Sequence, residues 1–293
     1  VVQLKALTHL PGPLPLCHLD GALLPLREAR ISPLDRSFLF GDGVYEVIPV
    51  YDGKPFRFAA HCERLGRSLA ALHIPDPHPR EQWRQIVEGL IAANGGGDQY
   101  VYLHVSRGAE FGRNHAPLPQ IEPAVFIYCS ELPRTAPETL ERGLACITAQ
   151  DTRWARCDIK SVALLANVLL RQQGIEAGAA ETILLRDGRL TEASASTVHV
   201  VIHGEVLTPP NSHRILPGTT RGVVVELLEQ LGVPQRAAEI SEAELRGADE
   251  IWLASATREV QPVTSLDGKP VGNGQPGPVW KRVYAAYQQL KRA

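Results

Sequence analysis

Four of the five Asp-Gly dipeptides of this chain constrain its fold more than any other local feature: Asp20-Gly21, Asp52-Gly53, Asp187-Gly188 and Asp267-Gly268. Both residues of such a pair readily take the left-handed backbone of a tight turn, so the runs on either side fold back on each other. The first two predict hairpins, one across residues 17–26 and one after the alternating strand Val44, Glu46, Ile48, Val50. The other two predict turns, after the strand-like run 182–186 and ahead of the C-terminal region. Further strands are read at 100–108, where apolar and polar residues alternate, and at 190–201 and 250–254. Residues 124–129 are apolar throughout and are expected to be buried on both faces. Residues 31–58 as a whole read as strand, loop, strand, turn, strand.

Helix-period runs lie between these strands. One begins at His61 and carries Leu65, Leu69 and Leu72 on one face; a second runs from Arg80 to Ala93 and stops at Asn94-Gly95. Val162, Leu164, Leu165, Val168 and Leu169 mark a third, residues 217–231 a fourth, and shorter or terminal helices are read at 242–245 and from Pro278. The proline-bearing stretch 131–137 predicts a domain boundary. The reading is a mixed α+β or α/β chain with a small N-terminal α/β domain (1–130), a linker (131–138) and a larger domain (139–293).

At 293 residues the chain can hold two domains and bury a core, and its 44% apolar content is that of a globular protein. A formal net charge of −2 gives no electrostatic case for nucleic acid or an anionic membrane, and no apolar run reaches the length of a membrane span. No signal-peptide pattern opens the sequence, whose early leucines are interrupted by Pro11, Pro13 and Pro15. Five cysteines, Cys17, Cys62, Cys129, Cys146 and Cys157, show neither paired metal-site spacing nor a disulfide framework, so a reduced, cytoplasmic chain is expected. The absence of Met, initiator included, leads to the expectation that translation starts elsewhere.

The chemistry centres on Lys160, within Trp154-Ala155-Arg156-Cys157-Asp158-Ile159-Lys160-Ser161. Lysine among apolar neighbours is poorly hydrated and presents more of its neutral amine, the form that condenses with an aldehyde. Downstream, Glu192 stands in Thr191-Glu192-Ala193-Ser194, and Ile215-Leu216-Pro217-Gly218-Thr219-Thr220 opens a helix whose free N–H groups suit an anion. An ordinary helix cap uses the same residue types. Gly41-Asp42-Gly43 is not read as a phosphate loop, because a strand rather than a helix follows it. Arg64, on the helix after His61, is either a solvated charge or a bidentate phosphate ligand.

These segments resemble the fold-type IV pyridoxal phosphate enzymes, above all in Arg156-Cys157-Asp158-Ile159-Lys160-Ser161, in Thr191-Glu192-Ala193-Ser194 and in Phe40-Gly41-Asp42-Gly43-Val44-Tyr45-Glu46. That family includes D-amino acid aminotransferases, branched-chain aminotransferases and aminodeoxychorismate lyases. The resemblance spans residues from about 31 to about 281 and is nearest to the D-amino acid branch. It implies a two-domain fold-type IV enzyme with a barrel-like sheet and flanking helices in the larger domain, and pyridoxal 5′-phosphate as cofactor.

The implied roles follow residue by residue. Lys160 is the catalytic amine; Glu192 faces the pyridine nitrogen; Arg64, Thr219 and Thr220 bind the phosphate; Leu216 walls the ring. Relatives carry a further phosphate-binding Thr where this chain has Ala256, so Ser255 or Thr257 is expected to substitute. Tyr45 is expected to face substrate, and Arg113 and His115 to take its α-carboxylate. In D-specific relatives that loop comes from the neighbouring subunit, which implies a homodimer with shared pockets. The leading reading is amino-group transfer between D-amino acids and 2-oxo acids. The alternatives are L-specific branched-chain transamination, an aminodeoxychorismate lyase, and a catalytically silent scaffold of the same fold.

Overall fold

The computed structural model describes residues 12–293 and divides them into two compact units, one reaching to Arg134 and including Ile159–Ala163, the other formed by Thr135–Asp158 and Leu164–Ala293. The sequence reading of residues 1–11 lies outside the described residues. Lys160, assigned to the second domain from sequence, packs with the first unit.

The first unit is an antiparallel sheet with helices on one face. Its strands are β1 (Pro13–Leu19), β2 (Ala22–Pro25), β3 (Gly43–Tyr51), β4 (Lys54–Pro55), β5 (Gln99–Ser106) and β6 (Ala124–Glu131), in the order β2-β1-β6-β5-β3-β4. Asp20 and Gly21 (φ 47° and 87°) close the β1–β2 hairpin, and Asp52 and Gly53 (φ 51° and 79°) close β3–β4. Helices α2 (Phe58–Ala71) and α3 (Arg80–Ala93) lay Leu65, Leu69, Trp83, Val87 and Leu90 on the sheet face carrying Val44, Ile48, Val101, Leu103 and Ile127. Burial of this kind contributes about 1.5–3 kcal/mol for each large apolar side chain.

Two sequence expectations differ here. Residues 124–129 are not buried on both faces: Val125, Ile127 and Cys129 enter the core, whereas Phe126 and Tyr128 stay half-buried on the opposite face with Tyr102. Apolar content did not reveal this, because the outer positions are filled with aromatic rings instead of polar groups. The strand expected ahead of Gly41 is the short helix α1 (Arg36–Phe40). Asp35 caps it by accepting the Ser37 N–H (2.8 Å), and Gly41 ends it in the left-handed conformation (φ 69°).

The second unit is built on a nine-stranded mixed sheet. Its strands are β7 (Leu144–Gln150), β8 (Glu181–Arg186), β9 (Arg189–Ala193), β10 (Thr197–Ile202), β11 (Glu205–Thr208), β12 (Gln235–Ala237), β13 (Glu250–Ser255), β14 (Glu259–Leu266) and β15 (Lys269–Pro270). The order is β12-β11-β10-β13-β14-β7-β8-β9, with β15 on β14; β14, β7 and β8 run parallel. β9, at one end of this order, leads through residues 194–196 into β10 near the other, and the Ala193 N–H donates to the Ser196 carbonyl (2.8 Å), so the sheet curls. β8, β10 and β13 are buried on both faces, and beside their apolar residues they bury the polar Glu181, Thr182, Thr197, His199 and Glu250.

Helices of this unit are α4 (Pro137–Arg142), α5 (Leu165–Glu176), α6 (Thr219–Gln230), α7 (Glu242–Arg246) and α8 (Pro278–Leu290). β6 extends through Glu131 and α4 begins at Pro137, so the stretch expected to be a linker is partly regular structure. The apolar run after Lys160 leads into α5, as its period predicts. α5 buries Leu170 and Gly174, while Leu165, Val168 and Leu169 are 72%, 60% and 56% exposed. All five cysteines are free. Among the described residues no helix is long and apolar enough to cross a membrane.

Gly108 follows β5 at φ 109°, and a Cβ there would run into the backbone carbonyl of Glu122. Gly108→Ala is expected to lose at least about 1–3 kcal/mol of stability from backbone strain, read as a lower urea midpoint. An unchanged midpoint would show that the turn can relax.

Candidate functional site

Lys160 is held by its own backbone. Val44 and Ser161 form an isolated antiparallel bridge, the Tyr45 N–H donates to the Lys160 carbonyl (3.0 Å), and the Val162 N–H donates to the Gly43 carbonyl (3.0 Å). The Lys160 N–H in turn donates to Ser68 Oγ on α2 (3.1 Å). The residue is thus strapped to the edge of β3 and to α2 at once, and its half-buried side chain places Nζ 4.0 Å from the centre of the Tyr45 ring. Among the described residues the amine has no hydrogen-bond or ion-pair partner. Trp154 and Cys157, expected from sequence to desolvate it, belong to the second unit.

Beneath this strap lies a buried ionic cluster that the sequence reading missed. Glu46 occupies an inward position of β3, between Val44 and Ile48, where only apolar side chains are expected. It accepts from Arg64 Nε and Nη2 (2.7 Å each), and its Oε2 lies 2.7 Å from His61 Nδ1. His61 and Arg64 are three apart on α2, so both project from the face turned to β3. Burial works to raise the Glu46 carboxyl, but Arg64 and His61 outweigh it and hold it well below the usual carboxylate range. Burial pushes His61 below its ordinary value despite Glu46. A charge in an apolar stripe was the available signal. Arg64, expected to bind phosphate, has Nε and Nη2 engaged by Glu46 and is oriented by it.

Tyr45 lies on the opposite face of β3 and stacks on Tyr102 of β5 (centroids 5.6 Å, 27°). Arg113 and His115 sit in the exposed loop 109–117; the Arg113 guanidinium is 5.4 Å from the Phe40 ring, and the His115 ring meets the same ring edge-on at 5.4 Å.

In the second unit Glu192 is a buried carboxylate on β9. It is ion-paired with Arg153, and the Leu216 N–H donates to both of its oxygens (3.3 Å). Arg153 is anchored by Asp151 (Nε 2.9 Å, Nη2 2.8 Å), which also accepts from Thr191 Oγ1 (2.9 Å) and pairs with Arg186 (3.1 Å). Burial raises the Glu192 carboxyl above its ordinary value, and Arg153 offsets this only in part. Asp151 and Arg153 fall in a loop without periodicity, and nothing in the sequence signalled them.

Thr219 and Thr220 open α6 after Gly218, which caps the helix without a side-chain hydrogen bond, so its first-turn N–H groups are not covered by a capping side chain. Ser255 ends β13, and Ala256 and Thr257 form the turn to β14; the Arg258 N–H donates to Ser255 Oγ (3.4 Å). The structure therefore joins Glu192 with Leu216 and Lys160 with Tyr45, and gives Arg64, Arg113 and His115 defined partners.

These features fit pyridoxal phosphate. Lys160 offers an amine with no carboxylate partner among the described residues, and the head of α6 offers N–H donors to an anion. Glu192 is a buried acid that a cationic ring nitrogen would hold ionised. Among the described residues no His, Cys, Asp or Glu cluster could hold a metal ion.

Residues 43–266 match the family model described as amino-transferase class IV. Among curated proteins, the chain is 36% identical over 275 residues to a D-alanine aminotransferase of Listeria monocytogenes serotype 1/2a (strain 10403S), covering 92% of this chain and 94% of that one. It is 39% identical over 269 residues to a D-alanine aminotransferase of Bacillus licheniformis, with the same coverages. Among solved structures, the Escherichia coli branched-chain amino acid aminotransferase superimposes with a TM-score of 0.90 at 25% identity, covering 94% of each chain. The T.th. branched-chain amino acid aminotransferase with pyridoxamine 5′-phosphate gives 0.89 at 26% identity, covering 96% of this chain and 95% of that one.

Glu46 supplies a test of the buried cluster. Its folded carboxyl lies below the usual 4.5, so its stabilisation is present above that pH and is lost as pH falls toward the folded value. Glu46→Gln is expected to cost about 3–5 kcal/mol at neutral pH by leaving Arg64 buried without its counter-charge, read by urea unfolding. The gap from the parent protein should narrow on acidification; a gap that stays constant with pH would contradict an ionised Glu46.

Proposed function

The chain belongs to the class IV aminotransferases, fold-type IV enzymes that use pyridoxal phosphate, and from that premise we propose that it transfers amino groups between D-amino acids and 2-oxo acids. The observation that carries this reading is Lys160, strapped to β3 and α2 with its amine over Tyr45 and without an ion-pair partner among the described residues. The D-specific choice is supported by the curated relatives named D-alanine aminotransferases and by Arg113 and His115 sharing one loop.

Lys160, Glu192, Arg64, Leu216, Thr219 and Thr220 would hold the cofactor, with Ser255 or Thr257 contributing where Ala256 cannot. Pyridoxal phosphate supplies the carbonyl that receives the amino group and an electron sink for the α-carbon. Lys160 Nζ takes the proton from the α-carbon of the amino donor and returns one to the α-carbon of the product formed from the acceptor. Glu192, aligned by Arg153 and the Leu216 N–H, would keep a proton on the ring nitrogen. The head of α6 and Arg64 would bind the phosphate, Leu216 and Tyr45 would wall the site, and Arg113 with His115 would take the α-carboxylate through a planar fork and a second donor.

The protein would act as a homodimer in which the 109–117 loop of one chain serves the other's pocket. Exposed apolar residues support a second copy: Leu165, Val168 and Leu169 on α5, and Phe111, 98% exposed, within the loop itself. A reduced, cytoplasmic setting accords with five free cysteines. Branched-chain L-amino acid transamination is the second reading, favoured by the branched-chain enzymes among the structural neighbours.

Matched D and L enantiomers offered with pyruvate or 2-oxoglutarate decide between the two. Turnover is expected with D donors, and Lys160→Ala should abolish it; preference for L-leucine or L-valine would overturn the D-specific reading. Complementation tests the shared pocket. Lys160→Ala and Arg113→Ala homodimers should each be severely impaired, and refolding the two together should restore activity, because some mixed-dimer pockets receive neither lesion. No recovery in verified mixed dimers would place both residues in the pocket of one chain.

A further inference from the structure

We propose that Arg36 is the positioning residue for carboxylate recognition: it fixes the 109–117 loop so that Arg113 and His115 meet the substrate α-carboxylate already oriented. This rests on the role given to those two residues above. Arg36 is buried on α1, and every arm of its guanidinium is used. Nε donates to Asp42 Oδ2 (2.8 Å), Nη1 pairs with Glu110 and donates to the Asn114 carbonyl (2.7 Å), and Nη2 donates to the His115 carbonyl (2.9 Å). The two carbonyls belong to the residues directly after Arg113, so one side chain grips the backbone at the point where both carboxylate donors branch.

The surroundings make this grip rigid. Glu110, paired with Arg36 at the start of the loop, also accepts the Leu118 N–H at its far end (3.2 Å), which staples the loop shut. Asp42 is held from the other side by Arg107 (Nε 2.7 Å, Nη2 3.0 Å), whose Nη2 also donates to the Leu72 carbonyl (2.7 Å). One helical turn beyond Arg36, the Phe40 ring lies 4.8 Å from the Arg36 guanidinium and carries the Arg113 and His115 contacts. α1 therefore grips backbone with its first residue and side chains with its last. Residues 111–120 are otherwise exposed, so without this clip the loop would have to be ordered when substrate binds. Only a planar guanidinium reaches a carboxylate on one side and two successive carbonyls on the other; an ammonium cannot span them.

The test compares D-phenylglycine with benzylamine, which is the same donor without its carboxylate, in single turnovers of the holoenzyme of the parent, Arg36→Lys and Arg113→Ala. The ratio of the two specificity constants isolates carboxylate recognition from folding and chemistry. It is expected to fall by roughly tenfold or more in both variants. Trypsin cleavage after Arg113, which needs no turnover, should accelerate in Arg36→Lys while its thermal midpoint stays near the parent's. A reduced ratio in Arg113→Ala with a parental ratio and cleavage rate in Arg36→Lys would overturn the proposal and leave the carboxylate role intact. A parental ratio in Arg113→Ala would overturn that role, and the proposal with it. If Arg36→Lys does not fold, Glu110→Gln, which leaves Arg36 in place but loosens the staple, is read by the same two measurements.

Discussion

The pairing of Glu46 with Arg64 and His61 is the interaction on which the first unit depends. It joins the inward face of β3 to α2 through charge, in a layer otherwise closed by apolar side chains. Breaking one partner of such a buried set leaves an uncompensated charge, so β3 and α2 are fixed to each other with little latitude. That rigidity reaches Lys160, whose carbonyl is held by β3 through Tyr45 and whose N–H is held by α2 through Ser68. An amine that must meet an α-carbon from a defined direction is thus carried on two elements clamped together directly beneath it.

The buried carboxylates of the two units are tuned in opposite directions. Glu46 receives two N–H groups of the Arg64 guanidinium and faces the His61 imidazole, and these overcome burial and keep it ionised. Glu192 has one guanidinium, itself shared with Asp151, and a single backbone N–H, so burial prevails and its carboxyl is raised. The first arrangement suits a structural anchor. The second leaves an acid whose charge would be completed by a cationic partner, the property the proposed cofactor requires.

The loop 109–117 shows a third use of charge. Apart from the buried Glu110 its side chains are exposed, yet its backbone is tied to Arg36 through the Asn114 and His115 carbonyls, and Glu110 accepts the Leu118 N–H just past its end. Order in such a loop comes from carbonyls pinned at chosen points and not from a core of its own, so polar chemistry can be displayed on a surface without the entropy cost of a free segment.

Much was decided by the sequence alone. The Asp-Gly turns, the 3.6-residue periods of α2 and α3, the alternation along β3 and the motifs around Lys160 and Glu192 are local patterns, and local backbone preference or a short motif is enough to read them. What only the tertiary structure decided depends on partners distant in the chain. Phe126 and Tyr128 look like core residues but line the half-open face, because hydrophobicity does not say which side of a strand the helices will cover. Arg36 looked like part of a strand and is the buried end of a capped helix, since its partners Glu110, Asn114 and His115 lie more than seventy residues away. Arg153 gave no signal, as its meaning comes from Glu192, which the fold brings to it across thirty-nine positions. Leu165 and Leu169, in the helix-period apolar run after Lys160, lie exposed, because periodicity marks an apolar face without saying what will cover it.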